Sequence, residues 1–273
     1  MQIPGTVNNN KQSIENGIDQ NHFIKKYEEF KDLILTLVSD KSSKTFYKFS
    51  DGEYYWMNNK QVGSCKVGGR DSNKKERDLT PFREGVVKND YLMCQALQNH
   101  IEWYEKEFKM KPEYYVDYVY GLIVNKWFTE NFNGNIGLIG AGPKLDAIQS
   151  LCNKQEYLDY LKFGGFTDYI KMPQRHLCDK LDHGEKLLEL GLKNSNSDVF
   201  LVGIGHAQQA LLHRMKKYKD AVYIVVGSGI CAYAGVQDNR RPYFADWVNY
   251  RSRDFNYGKV DIWRNNFTHL KYL

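Results

Sequence analysis

Nowhere does the chain contain an uninterrupted apolar run long enough to span a bilayer, and its first twenty residues, polar and Asn-rich, lack the apolar core of a signal peptide. These absences lead to the expectation of a soluble protein with no membrane span. Cysteine is scarce: Cys65, Cys94, Cys152, Cys178 and Cys231 are odd in number and widely spaced. They contain no CxxC pair and no His/Cys cluster with the spacing of a zinc site, so a reducing, cytoplasmic setting is expected. A strong charge of one sign is also missing. The 38 basic residues against 33 acidic ones leave a net charge of +5, which favours anionic partners only modestly. Phosphorylated small molecules fit that balance at least as well as nucleic acid, and no nucleic-acid partner is expected.

With 273 residues the chain is long enough to bury one substantial core. Residues 1–21 lack periodicity and read as a mobile arm. Residues 22–273 read as a single α/β domain, with an aromatic and basic extension over 237–273. Phe23, Tyr27, Phe30, Ile34 and Leu37 recur at helical spacing and predict an amphipathic helix. The aromatic and β-branched run 45–49 predicts a strand leading into Ser50-Asp51-Gly52-Glu53. A Gly- and charge-rich surface loop is expected over 58–83, followed by helical patterns around 91–108 and 114–132.

The second half repeats one unit, an apolar strand, a glycine turn and a helix. Ile136-Gly137-Leu138-Ile139 leads to Gly140-Ala141-Gly142-Pro143 and a helical stretch over 144–151, and Val199-Phe200-Leu201-Val202 leads to Gly203-Ile204-Gly205-His206 and a helical stretch over 207–217. Residues 221–226 then run into Gly227-Ser228-Gly229. Such alternation predicts a mainly parallel α/β sheet with helices on both faces. Ligands of such sheets bind beyond the carboxyl ends of the strands, where the glycine turns and the Asp-Gly-Glu would all lie.

Several residues there suit phosphate or metal chemistry. If the extended conformation persists past the first strand, Asp51 and Glu53 project to one side and converge on one cation, for which hard oxygen ligands select Mg²⁺ or Mn²⁺. The same residues also suit an exposed turn. Gly140-Ala141-Gly142 and Gly203-Ile204-Gly205 each make half a dinucleotide fingerprint, because Leu145 and Gln208 stand at the third glycine position. Each turn suits either phosphate binding through Gly140, Gly142 and Gly205, or tight strand-to-helix packing. His206, expected at a helix N-terminus, suits a neutral imidazole able to accept a proton or donate to phosphate. Residues 238–266 interleave Arg240, Arg241, Arg251, Arg253 and Arg264 with seven aromatics, a composition fit for diphosphate clamping, single-stranded nucleic acid or a homodimer interface.

Lys48-Phe49-Ser50-Asp51-Gly52-Glu53 resembles the Arg-aromatic-Gly-Asp-Gly-Glu signature of GT-D fold glycosyltransferases, a group first filed as a domain of unknown function. The runs 200–205 and 221–229 are similar to that family's later strands and glycine turn, so the likeness spans roughly 45–229. It implies a Rossmann-like fold, a UDP-sugar donor, a hydroxyl acceptor such as a glycan, and Asp51 and Glu53 as ligands of Mn²⁺ or Mg²⁺. Lys48 and Ser50 would then adjoin the donor, together with Gly140, Gly142, Gly205, His206, Arg240 and Arg241. The chain departs from the pattern in having Lys48 for arginine, Ser50 for glycine, His206 where proline is common, and Gly227 in place of an acidic residue. Asp246, Asp71 and His206 are the candidate catalytic bases for an acceptor hydroxyl. Two alternatives remain from the residues themselves. One is a Rossmann-type methyltransferase or nucleotide-dependent oxidoreductase using a glycine turn, and the other is a nucleic-acid-binding module using the basic aromatic tail.

Overall fold

The computed structural model describes residues 20–58, 78–95, 98–173 and 177–235. Helix α1 (Gln20–Ser39) turns Phe23, Tyr27, Phe30, Ile34 and Leu37 into the core, as their spacing predicts. Strand β1 (Lys44–Phe49) buries all but its first residue, and α2 (Asp51–Met57) starts one residue beyond it. After α3 (Thr80–Val86), begun by Pro81, come β2 (Tyr91–Cys94), α4 (Gln98–Phe108), β3 (Tyr114–Tyr115), α5 (Val116–Val124) and α6 (Trp127–Asn131).

The repeating half follows. Strand β4 (Ile136–Ala141) leads straight into α7 (Gly142–Cys152), then α8 (Gln155–Leu161), β5 (Asp168–Met172) and α9 (Leu181–Lys193). Strand β6 (Val199–Gly203) leads to α10 (Gln208–Leu211), which is flanked by 3-10 turns at Gly205–Ala207 and Leu212–Lys217. Strand β7 (Val222–Val225) and α11 (Gly229–Tyr233) end the described chain.

Among the described residues the strands form one seven-stranded sheet in the order β3-β2-β1-β7-β6-β4-β5, every pair parallel. Alternate residues of the longer strands enter opposite layers. Val199, Leu201, Val222 and Ile224 join the layer holding α1, α5 and α7, whereas Phe200, Val202, Tyr223 and Val225 join the layer holding α3, α9 and α10. Both faces are thus covered, the expected α/β, Rossmann-like arrangement. The chain runs outward from β1 through β2 to β3 on one side and fills the other side with β4 to β7. The boundary between β1 and β7 is therefore the topological switch point, and its carboxyl edge is the usual ligand crevice of this architecture.

Several sequence expectations differ locally. Residues 91–94, expected to be helical, pair with β1 as a strand, because a four-residue apolar run between two covered faces is too short to be told from helix by period. The pattern over 114–132 divides into β3, α5 and α6, with Lys126 at φ 61° separating the two helices. The loop expected over 58–83 gives way to α3 at Thr80, while residues 59–77 lie outside the described ones. Residues 207–217 form α10 and 3-10 turns rather than one helix. Of the arm expected over 1–21, residues 1–19 lie outside the described chain and the last two belong to α1. No helix among the described residues is long and apolar enough to cross a membrane.

Candidate functional site

The end of β1 sets the geometry. Ser50 is extended (φ −138°, ψ −170°) and caps α2, so Asp51 is the first helical residue and Glu53 the third. The extended backbone expected to persist past β1 thus ends at Ser50, and the Asp51 side chain lies outside what the structure describes. The local cause is a capping box. Glu53 Oε2 reaches back to accept the Ser50 backbone N–H at 3.0 Å, satisfying a donor at the helix start. The Ser50-x-x-Glu53 spacing carries that signal in the sequence.

Ser50 Oγ donates to the same Oε2 at 2.7 Å and accepts from Lys48 Nζ at 2.8 Å, which itself stands 3.8 Å from Oε2. The other carboxylate oxygen, Oε1, accepts from Gln208 Nε2 at 3.2 Å and lies 3.8 Å from His206 Nδ1. Glu53 and Lys48 are each only 5% exposed. Burial pushes the Glu53 carboxyl up, but the charges of Lys48 and His206 and the two hydrogen bonds from Ser50 outweigh it and hold Glu53 below the usual carboxylate range. An ionised carboxylate is thus kept almost out of water at the switch point.

His206 is held against the same helix. Its ring stacks on Trp56 at 4.7 Å between centroids and 7° between planes, and a Cβ at Gly52 would lie 3.4 Å from its Cε1. The imidazole lies along α2 between Glu53 and Trp56, with Gly52 beside it at a distance that is ordinary contact for an added Cβ. His206 leads a 3-10 turn rather than a long helix, so the dipole argument for its neutrality does not apply here. From β7, Gly227 closes the other side at φ +53°, a conformation that favours glycine, and a Cβ there would lie 3.4 Å from Lys48 Nζ.

The structure therefore brings together Lys48, Ser50, Glu53 and His206, with Gly205 (φ +62°) beginning the turn that carries His206. Gln208, noted in the sequence only for standing at a glycine position, joins them through Glu53, and Trp56, which the sequence reading passed over, joins through His206. Gly140 stands at the end of β4, beyond β6, and its missing side chain admits Leu145 and Ile230, which approach an added Cβ to 3.3 and 3.5 Å. Gly203 likewise makes room for Ile230, at 2.4 Å from an added Cβ. Packing, rather than an open phosphate cradle, accounts for Gly203, and Gly140 is bordered by apolar side chains. Gly142 heads α7 in more open surroundings, its nearest neighbour being Lys171 Cβ at 3.8 Å. Asp71, Arg240, Arg241 and Asp246 lie outside the described residues.

Among the described side chains a divalent cation finds an incomplete set of protein ligands here. Oε2 of Glu53 already accepts two short hydrogen bonds, whereas Oε1 accepts one long one and retains a lone pair. Among the described residues no three His, Cys, Asp or Glu side chains form a cluster able to hold a metal. Such a set fits Mg²⁺ or Mn²⁺ only in the manner usual for nucleotide enzymes, with one or two carboxylates and the remaining positions filled by water and phosphate oxygens. Compared with known proteins, the chain matches no protein-family model, no curated protein and no solved structure.

Proposed function

We propose that this protein is a glycosyltransferase that moves a sugar from a nucleoside-diphosphate donor, with UDP the expected nucleotide, to a hydroxyl acceptor such as a glycan, using Mn²⁺ or Mg²⁺. The observation that carries this reading is the ionised Glu53, buried beside Lys48 at the carboxyl edge of the switch point. A folded protein retains such a costly buried charge where it has a task, and perturbed titrating groups in ligand crevices are candidates for one. The Lys48 to Glu53 motif adds the specific chemistry, since its acidic pair resembles the metal motif of GT-D enzymes.

In this reading Glu53 and Asp51 would hold the cation, which would neutralise charge developing on the departing diphosphate. Lys48 supplies a fixed positive charge at the same edge, and Ser50 holds both Lys48 and Glu53 in place. His206, packed between Glu53 and Trp56, orients the carboxylate. The apolar surroundings of Gly140 and Gly203 weigh against a dinucleotide or S-adenosylmethionine cradle at those turns.

A thermal-shift screen of nucleotides and nucleotide sugars, with Mn²⁺ or with chelator, tests this reading. A ligand confined to the native state at a hundred times its Kd stabilises by about 2.7 kcal/mol. A nucleoside diphosphate is expected to raise the melting temperature more with metal than without it. Stabilisation by NADH or S-adenosylmethionine, independent of metal, would transfer the protein to another enzyme class.

A further inference from the structure

Lys144 and Cys231 lie apart from the Glu53 network. Lys144 is the third residue of α7, just past β4, and Cys231 the third residue of α11, just past the turn that ends β7. The two side chains meet over the edge of β6. Lys144 Nζ stands 3.1 Å from Cys231 Sγ, and the residues are 9% and 2% exposed. An ammonium group at hydrogen-bond distance favours the thiolate, the form of cysteine that reacts with peroxide. Burial pushes the Cys94 thiol up to about 12 and raises that of Cys152.

We propose that Cys231 and Lys144 are a redox modification site, joined under peroxide by a reversible sulfur–nitrogen bond. In the first step the Cys231 thiolate attacks hydrogen peroxide. An S–O bond forms, the O–O bond breaks, and the hydroxide released takes a proton from the Lys144 ammonium to leave as water. In the second step the neutral Lys144 nitrogen attacks the sulfenic sulfur. An S–N bond forms, the S–O bond breaks, and hydroxide departs as water with a proton shed by nitrogen. Sulfur loses two electrons, peroxide gains them, and one thiolate, one ammonium and one peroxide become a sulfenamide and two waters. The contact favours this over further oxidation because the amine is already beside the sulfur.

The link would tie α7 to α11, the helices that follow β4 and β7, and two equivalents of an external thiol would undo it. This chemistry is independent of the donor site. To test it, the full reduced chain is exposed to hydrogen peroxide, digested without reductant and mapped by mass spectrometry. The expected product is a peptide pair joined at Lys144 and Cys231, lighter than the sum of its parts by two hydrogens and released by dithiothreitol. In Lys144→Arg the pair should be absent and Cys231 should proceed to sulfinic acid. Wild-type protein that yields sulfinic or sulfonic Cys231, a disulfide at Cys231, or an unmodified Cys231 after Cys178 has oxidised, in each instance with no joined pair, overturns the assignment. That wild-type measurement requires no variant to fold.

Discussion

Ser50 makes three connections: its backbone N–H and its hydroxyl both donate to Glu53, and its hydroxyl accepts from Lys48. Replacing it with alanine keeps the backbone bond but removes the hydroxyl that joins the buried charges. Loss of a helix cap of this type costs about 1 kcal/mol, so Ser50→Ala should lower the urea midpoint, and an unchanged midpoint would count against the network. Glu53→Gln should be worse. It removes the carboxylate charge 3.8 Å from the buried Lys48 ammonium, a change of the kind that costs about 3–5 kcal/mol, and the loss should appear in chemical denaturation. The sequence carried the materials for this: Ser50-x-x-Glu53 is a capping-box spacing. A strand reading extended through Ser50 masked it, because an Asp-Gly-Glu turn and a helix start share the same residue types.

At the scale of elements, α3 meets α10 almost backbone to backbone. A Cβ added at Gly85 would fall 1.9 Å from the Gln209 carbonyl oxygen and 2.9 Å from Ala210 Cα, neither of which can rotate away. Gly85→Ala should therefore separate the two helices and destabilise by about 1–3 kcal/mol, the range for overpacking, and a melting temperature equal to wild type would contradict this packing. The 3-10 segment that follows α10 has its own signature in pH. Burial, together with the charges of Arg214, Lys88 and Lys217, lowers the His213 pKa from 6.5 to about 4, against the smaller pull of Glu185. The folded state thus resists protonation of His213 more than the unfolded state does. Stability from this group is full above the unfolded value and is lost as pH falls from about 6.5 towards 4. His213→Gln should flatten the stability curve over that window, and a curve of unchanged slope would remove His213 as its source.

Across the whole molecule, the legible part of the fold was the part with strong periodicity. The stripe of α1 and the apolar runs of β1, β4, β6 and β7 declare a parallel sheet with two covered faces. The runs at β2 and β3 do not, because four and two residues carry no period, and their strand character comes from pairing with β1 and with each other. The site was legible in composition and less so in geometry. Lys48, Ser50, Glu53 and His206 do converge, but contacts 155 residues apart in sequence, such as Gln208 with Glu53, have no local signal. The stacking of His206 on Trp56 is equally non-local.

The central claim is that the acidic pair beginning α2 holds a cation for a nucleoside diphosphate. Calorimetric titration of UDP in the presence of Mn²⁺, on wild type, Asp51→Asn and Glu53→Gln at a temperature where all three are folded by circular dichroism, tests it most directly. Asp51→Asn is the informative variant, since the hydrogen bonds that join Lys48, Ser50 and Glu53 run among those three residues themselves. The account predicts that wild type binds UDP with Mn²⁺ and much more weakly in chelator. It also predicts that each variant loses at least about tenfold in the metal-dependent affinity, the scale of effect seen when even the outer support of a metal site is removed. Equal affinity in wild type and both variants, or wild-type binding indifferent to Mn²⁺, would contradict it.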